Sequence, residues 1–260
     1  MSQFGTAART VLAKAYRLRP VKGVDIKFQE VSAWPGSGSW EGRDSALRLK
    51  GARDWKSPAP WTPAERSAIF NPLVGELLKA LRAVPLADAH LLDFGCGNGG
   101  FYPVMRSEKH TARWSYEGAE VNVEMLEYCS KMYKDVRFGM VKEVLTRGKR
   151  YDVVLASSVA EYLENTESFL EDMRILARRY LVLSRVPTYE RHPDQIVLQE
   201  VRWRGQIEEH PMRIFNREGL EKTFRRKGLG LIHRGRIWNA GHVNGTPETI
   251  SRDNFVLSTS

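Results

Sequence analysis

The sequence predicts an α/β fold, an open, mostly parallel sheet with helices on both faces. Three observations carry that prediction. A short apolar run, Leu91-Leu92-Asp93-Phe94, breaks abruptly into Gly95-Cys96-Gly97-Asn98-Gly99-Gly100, the pattern of a buried parallel strand turning sharply into a helix. Further apolar runs of strand length recur at 114–119, 136–140, 151–158 and 179–184, with helix-length stretches between them, as repeated strand–helix–strand units require. The chain has 260 residues, enough to bury a full core in one domain with an appendage. Ligands of such sheets bind at the carboxyl ends of the strands.

Taken in order, the first 24 residues carry Arg9, Lys14, Arg17, Arg19 and Lys22, with no acid before Asp25. Val11, Leu12, Ala15 and Leu18 fall near one helical face, so this stretch reads as a short basic amphipathic helix. It either rests on anionic lipid or frays and closes over the domain as a lid. From about 30 to 61 the chain turns Pro/Gly/Ser-rich, yet Trp34, Trp40, Trp55 and Trp61 account for four of its seven tryptophans. A linker would not carry so many large rings. They are expected to pack as a cover or to line a cleft, where rings could also stack on sugar faces. Residues 1–61 are therefore read as an appendage and 62–260 as the main domain.

Thr62-Pro63-Ala64-Glu65 is a capping box with proline at the first helical position, and Ile69, Leu73, Leu77, Leu78 and Leu81 give the helix after it an apolar face. The strand at Leu91 follows. Glycines at 95, 97 and 99 allow backbone angles closed to side chains and let a ligand approach the main chain. Phe101 to about Glu108 is the next helix, Trp114–Ala119 a strand ending at Glu120, Val123–Tyr133 a helix, and Val136–Met140 a third strand. Tyr151–Ser158 reads as a buried fourth strand and Arg179–Ser184 as a fifth. Beyond lies an insertion, about 185–215, with one strand over Gln195–Arg202. A helix over Asn216–Lys227 has an asparagine cap and stops at Gly228. Strands Leu229–Arg234 and Phe255–Ser258 close the chain, with a loop-rich stretch between them.

Composition is that of a globular protein, 42% hydrophobic and 27% charged. No apolar run approaches the roughly 20 residues of a membrane span, and no secretory signal pattern opens the chain. Cys96 and Cys129 form no framework and no C-x-x-C pair, so a reducing cytoplasm is expected. The net charge of +9 either decorates solvated helix faces or favours an anionic partner: nucleic acid, lipid or an acidic substrate. No RGG tract or basic-aromatic RNA-binding signature appears.

The segment from Leu91 to Gly99 resembles the first motif of class I S-adenosylmethionine (SAM)-dependent methyltransferases, hydrophobic-Asp-x-Gly-x-Gly-x-Gly. Its G-x-G-x-G spacing differs from the G-x-G-x-x-G of dinucleotide-binding folds. The resemblance implies a Rossmann-like seven-stranded sheet with helices on both faces, carrying the Trp-rich N-terminal segment and the insertion after strand five as additions. It implies SAM as cofactor, S-adenosylhomocysteine as product, and a cofactor site formed by Asp93, Gly95, Cys96, Gly97, Asn98, Gly99, Glu120, Val121, Met140, Val141 and Ser157. In that family an acid at the tip of the second strand grips the ribose, and Glu120 falls there; a carboxylate can accept bonds from both hydroxyls of a diol. Met140–Lys142 would flank the adenine, although the family's usual acid beside the adenine amine is not evident.

Absences narrow the chemistry. Ser157-Ser158-Val159-Ala160-Glu161-Tyr162 is not the Asn/Asp-Pro-Pro-Tyr/Phe segment that holds planar amines. Neither cysteine follows a proline, as attack on a pyrimidine ring would need, and serines stand where catechol-type enzymes place a metal-ligating aspartate. The expectation is metal-independent transfer to an oxygen. Ser39-Trp40-Glu41, Ser157-Ser158-Val159, Arg185-x-Pro187 and the run from Gln199-Glu200-Val201 to Ile214-Phe215 resemble a family of bacterial methyltransferases often associated with surface-polysaccharide biosynthesis. That likeness implies a glycan or related small-molecule acceptor, and an acidic one would suit the basic surface. In-line transfer to a hydroxyl needs a proton acceptor. His192, His210 and Glu161 are the candidates, and the residues do not choose among them. Arg185 and Arg191 could grip an anionic group, with Tyr162 beside the acceptor. Two rival readings stay open: an RNA methyltransferase, and a methyltransferase fold that binds without turnover.

Overall fold

The structure is a computed structural model and describes residues 24–32, 75–203 and 206–259. The basic N-terminal stretch, Trp34, Trp40, Trp55, Trp61 and the capping box at 62–65 lie outside the described residues. The chain enters at strand β1, Val24–Glu30, and continues with helix α1 over 75–82. Strand β2, His90–Phe94, leads through the glycine turn to helix α2, Phe101–Ser107. Then follow β3, Ser115–Glu120; α3, Val123–Met132; β4, Arg137–Met140; α4, Val141–Thr146; and β5, Tyr151–Ser157. A 3₁₀ turn, Ala160–Tyr162, and α5, Thr166–Leu176, precede β6, Ala177–Tyr189.

These strands pair in parallel in the order β4-β3-β2-β5-β6. Strand β10, Thr249–Ser258, runs antiparallel between β6 and β9, Gly230–His242, and with the strands given below the sheet has ten strands among the described residues rather than the seven expected. Helix α6, Arg217–Arg226, precedes β9. The carboxyl ends of β2, β3, β5 and β6 meet at one edge, where strand order reverses beside β2, the position that binds ligands in open sheets.

Central strands buried on both faces read as continuous apolar runs, and the two-residue period sends neighbours to opposite cores. Leu91, Val153, Leu155, Val182 and Val256 pack with Leu77, Leu81, Met105 and Trp114 on the face of α1 and α2. Leu92, Val154, Ala156, Leu183 and Phe255 pack with Val144, Phe169, Met173 and Phe224 on the face of α4, α5 and α6. Each fully buried Leu, Val or Phe contributes about 1.5–3 kcal/mol. Side-chain caps start three helices: Asn122 accepts from the Met125 amide, Asn165 from Ser168 and Asn216 from Gly219, at about 1 kcal/mol each. Gly228 at φ 71° ends α6, with the Leu229 amide bonded back to the Phe224 carbonyl.

The insertion departs from its sequence reading. Strand β6 does not stop at Ser184 but continues to Tyr189 through a left-handed residue, Arg185 at φ 62°. Residues 195–216 form a hairpin of β7, Gln195–Trp203, and β8, Gln206–Asn216, rather than one strand and a loop. Strand β1, absent from the sequence reading, pairs antiparallel with β7 along seven residues, so residues 24–30 join the sheet. β8 pairs with β6 in parallel at Thr188 and Tyr189. A third cluster, Phe28, Tyr189, Val197, Met212, Ile214, Val243 and Ile250, fills the space beneath this meander. The final two strands are also longer than expected, because the stretch read as loop pairs from His242 to Thr249 downward.

Candidate active site

The glycine turn is held from both sides. The amides of Gly95 and Cys96 both donate to the Ala119 carbonyl at the end of β3, at 2.8 and 2.9 Å. Gly95, Gly97 and Gly99 take φ of 76°, 56° and 70°, the left-handed region that disfavours side chains. A Cβ on Gly95 would stand 2.8 Å from Val159 Cγ2, whereas one on Gly97 would meet nothing within 4 Å. Gly97 therefore presents bare backbone to open space, a cradle suited to a ligand. Cys96 and Cys129 are buried free thiols under the turn; Cys129 Sγ donates to the Gly97 carbonyl at 3.2 Å. The hydrogen bond that the Cys96 thiol gives to Cys129, followed by burial, holds it well above the ordinary cysteine range. Asn98 Oδ1 accepts from the Gly100 amide.

Glu120 ends β3 and is nearly inaccessible. Its Oε2 accepts the Gly97 amide at 2.9 Å, and its Oε1 accepts the amides of Val121 and Asn122 at 2.9 and 3.2 Å. A carboxylate has about four acceptor positions, so three are committed to backbone. Glu120 thus ties the turn to the tip of β3, and accepting from both hydroxyls of a ribose would displace one of these amides. Val141 is buried in the core beside α4, and Val121, partly exposed, packs against it. Met140 caps α4 directly.

Asp93, one residue short of the tip of β2, is 1% exposed. Its Oδ2 accepts the Tyr116 hydroxyl at 2.6 Å and its Oδ1 accepts nothing from the described residues. Burial, only partly offset by the Tyr116 bond, pushes its pKa up to about 7. The orphan oxygen and the open cradle beside it are what a polar, partly cationic cofactor such as SAM would complete. Asp93, the glycine turn and Glu120 are the residues that would hold it.

The tips of β5 and β6 hold the second half of the site. Ser158, at φ 52°, donates its amide to the Ser184 carbonyl, locking the two tips together. Ser157 Oγ accepts Arg185 Nε at 3.0 Å, and the Arg185 guanidinium stands 5.7 Å over the Phe101 ring, just past the glycine turn. Glu161 is fully buried; its Oε1 takes Arg252 Nη1 at 2.8 Å and its Oε2 is unpartnered among the described residues. Burial raises the Glu161 pKa against the opposing pull of Arg252 and Arg185. The Tyr162 hydroxyl donates to Gln199 on β7 at 3.3 Å, tying this segment to the meander.

The remaining candidates stand elsewhere. His192 lies past the far end of β6. Its amide is bonded to Glu248, its carbonyl to Asn216, its ring to the Pro193 carbonyl, and its ring edge meets Tyr189. Arg191 is exposed and also gives its amide to Glu248. From Arg185 to Tyr189 the strand alone covers about 13 Å at roughly 3.3 Å per residue, so the structure does not bring His192 and Arg191 to the glycine turn. His210 pairs with Gln199 in the hairpin, and its side chain lies outside the described residues. Sequence reasoning missed Arg252 and Asn254. Both sit on β10, far along the chain, and no local motif marks them. Among the described residues no group of three or more His, Cys, Asp or Glu side chains could hold a metal ion, and no helix is long and apolar enough to cross a membrane.

Comparison with known proteins gives this geometry its setting. The family described as methyltransferase domain matches residues 67–234. No curated protein sequence matches the chain. Among solved structures, a 1,6-didemethyltoxoflavin-N1-methyltransferase from Burkholderia thailandensis, crystallised with S-adenosylhomocysteine, is 15% identical over 89% of this chain and 94% of its own, with a TM-score of 0.56. The [4+2]-cyclase SpnF is 15% identical over 79% of this chain and 78% of its own, at 0.55. An S-adenosylmethionine-dependent methyltransferase from Clostridium acetobutylicum is 11% identical over 83% and 99%, at 0.51. At these identities the likeness is one of fold.

Proposed function

The chain belongs to the methyltransferase-domain family, and we propose that it is a SAM-dependent enzyme that methylates a hydroxyl of a sugar or related small molecule. Bound SAM supplies an electrophilic methyl group on its sulfonium. The glycine turn, Glu120 and Asp93 bind and orient it, and the tips of β5 and β6 face the acceptor. The observation that carries the oxygen assignment is the Glu161 carboxylate. A hydroxyl acceptor must lose a proton in the transfer; Glu161 Oε2 is free to take it, and Arg252 on Oε1 fixes the carboxylate's orientation. Burial, which raises its pKa, strengthens it as an acceptor. A surface-polysaccharide or nucleotide-sugar acceptor is favoured by the family resemblance in Trp40, Ser157–Val159 and Arg185-x-Pro187, and an acidic one by the charge of +9. The two buried free thiols fit a reducing cytoplasm.

Two measurements test this. Calorimetric titration with S-adenosylhomocysteine is expected to show micromolar binding, weakened at least tenfold by Glu120→Ala; no binding to the wild-type chain defeats the cofactor reading. Labelled SAM with nucleotide sugars and glycan fragments then reports turnover. Glu161→Gln should keep product binding within about twofold and lower turnover by about 10²–10⁴, the range of a lost general base. Undiminished turnover removes Glu161 from that role. The net charge favours one other acceptor, RNA, and label appearing there alone would select it. Because the cyclase SpnF has its own activity on this architecture, turnover has to be measured.

A further inference from the structure

Arginines drawn into the interior around this site are matched with acids, except one. Arg217 Nε meets Asp253 at 2.6 Å, and Arg252 meets Glu161 at 2.8 Å. Arg185 forms no ion pair with any described carboxylate; its hydrogen-bonding side-chain partner is the neutral Ser157 Oγ, and its ring neighbour is Phe101. A partly buried guanidinium without a counter-charge in contact is costly, and desolvation lowers its pKa here despite the fields of Glu161 and Asp93.

The backbone fixes Arg185 in this place against its own preference. A left-handed φ of 62° is disfavoured in a residue with a side chain. It persists because its amide donates to Asn254 Oδ1 at 3.0 Å, its carbonyl accepts Arg252 Nη1 at 2.9 Å, and Ser184 Oγ fixes the same Asn254 oxygen at 2.8 Å. Strain that surrounding bonds over-determine is a mark of a functional position. The result is a guanidinium anchored through Nε, with both terminal nitrogens lacking a described acceptor. That free edge has the geometry for two parallel bonds to a carboxylate.

The strand tips indicate whose carboxylate it is. Glu120 ends β3 and Arg185 lies within β6 just past its last pairing with β5, with β2 and β5 between. At about 4.8 Å per strand the end of β3 and this point of β6 lie roughly 14 Å apart, and the Arg185 guanidinium stands over Phe101, just past the turn. SAM is an elongated ligand whose ribose lies between the adenine and a methionyl arm that ends in its single carboxylate. We propose that Arg185 is the carboxylate anchor of the cofactor site, pairing with the methionyl carboxylate of SAM while Glu120 serves the ribose side. The assignment rests on the cofactor reading above and moves Arg185 from the acceptor to the cofactor.

The test compares two ligands by calorimetry on the full chain: S-adenosylhomocysteine, and 5′-methylthioadenosine, which keeps the nucleoside and thioether but lacks the amino-acid end. Arg185→Gln should lower the preference for S-adenosylhomocysteine over methylthioadenosine at least tenfold and leave methylthioadenosine binding within about twofold. Ser157→Ala, which frees Nε, should shift the preference the same way by less, and it stands in if Arg185→Gln does not fold. An unchanged preference with both affinities intact assigns the anion to the acceptor and overturns the proposal. Equal weakening of both ligands makes Arg185 a scaffold residue and also overturns it. If neither ligand binds the wild-type chain, the cofactor reading itself fails, a result separate from the other two.

Discussion

Replacing Asp93 with asparagine should make this protein more stable at neutral and alkaline pH, although the change strikes the site's first acid. The carboxyl is 1% exposed, bonded only to the Tyr116 hydroxyl among the described residues, and its pKa stands at about 7 against 3.8 for an ordinary aspartate. The folded state therefore holds a proton between about pH 4 and 7 that the unfolded chain has released. Stability falls as pH rises through that window, because the native state binds more protons there than the unfolded state does. A shift of about three units at about 1.4 kcal/mol each sets a ceiling near ~4 kcal/mol; relaxation around the charge reduces this to about 2–4 kcal/mol. The asparagine carries no such charge, and its side-chain oxygen can still accept the Tyr116 hydroxyl. The melting temperature of Asp93→Asn relative to wild type should climb between pH 4 and 7 and level off above. At about 2–4 °C per kcal/mol for a chain of this size, the climb amounts to roughly 4–16 °C. Differential scanning calorimetry at half-unit pH intervals measures it, and the difference between proteins cancels groups common to both. A difference that stays flat from pH 4 to 8 refutes the buried, uncompensated carboxyl.

Two further outcomes follow from the geometry. Gly95→Ala meets both a left-handed backbone at φ 76° and Val159 Cγ2 at 2.8 Å; it should cost about 1–3 kcal/mol in urea denaturation and weaken S-adenosylhomocysteine binding. Glu248 accepts the amides of Glu190, Arg191 and His192. Partial burial pushes its pKa up, but the three amides outweigh that and hold it below the ordinary glutamate value. Its contribution is thus present above the unfolded pKa and lost as pH falls through the folded one, so Glu248→Gln should cost about 1 kcal/mol or less at pH 7, after solvent screening, and little at pH 3, read from unfolding midpoints.

Much of the cofactor half of this site can be read from the chain itself. An apolar run followed by alternating glycines specifies a buried strand and a left-handed turn within about ten residues, because backbone angles and burial are local demands. The same reasoning places Glu120 at a strand tip and Asn216 at a helix start. The acceptor half is different. Glu161 is matched with Arg252 across 91 positions and Arg185 with Asn254 across 69. Such partners meet only when β10 inserts between β6 and β9, and a carboxylate's charge state depends on what then surrounds it. β1 and β8 escaped the sequence reading for a related reason: β1 pairs with a strand about 170 residues away, and a half-buried strand's stability lies in its neighbours. The sequence by itself determined the fold class and the left-handed glycine turn, since these follow from conformational preferences written residue by residue. Only the closed sheet decided which charges are satisfied and which are left for a ligand, because electrostatic pairing depends on distance in space and on exclusion of water.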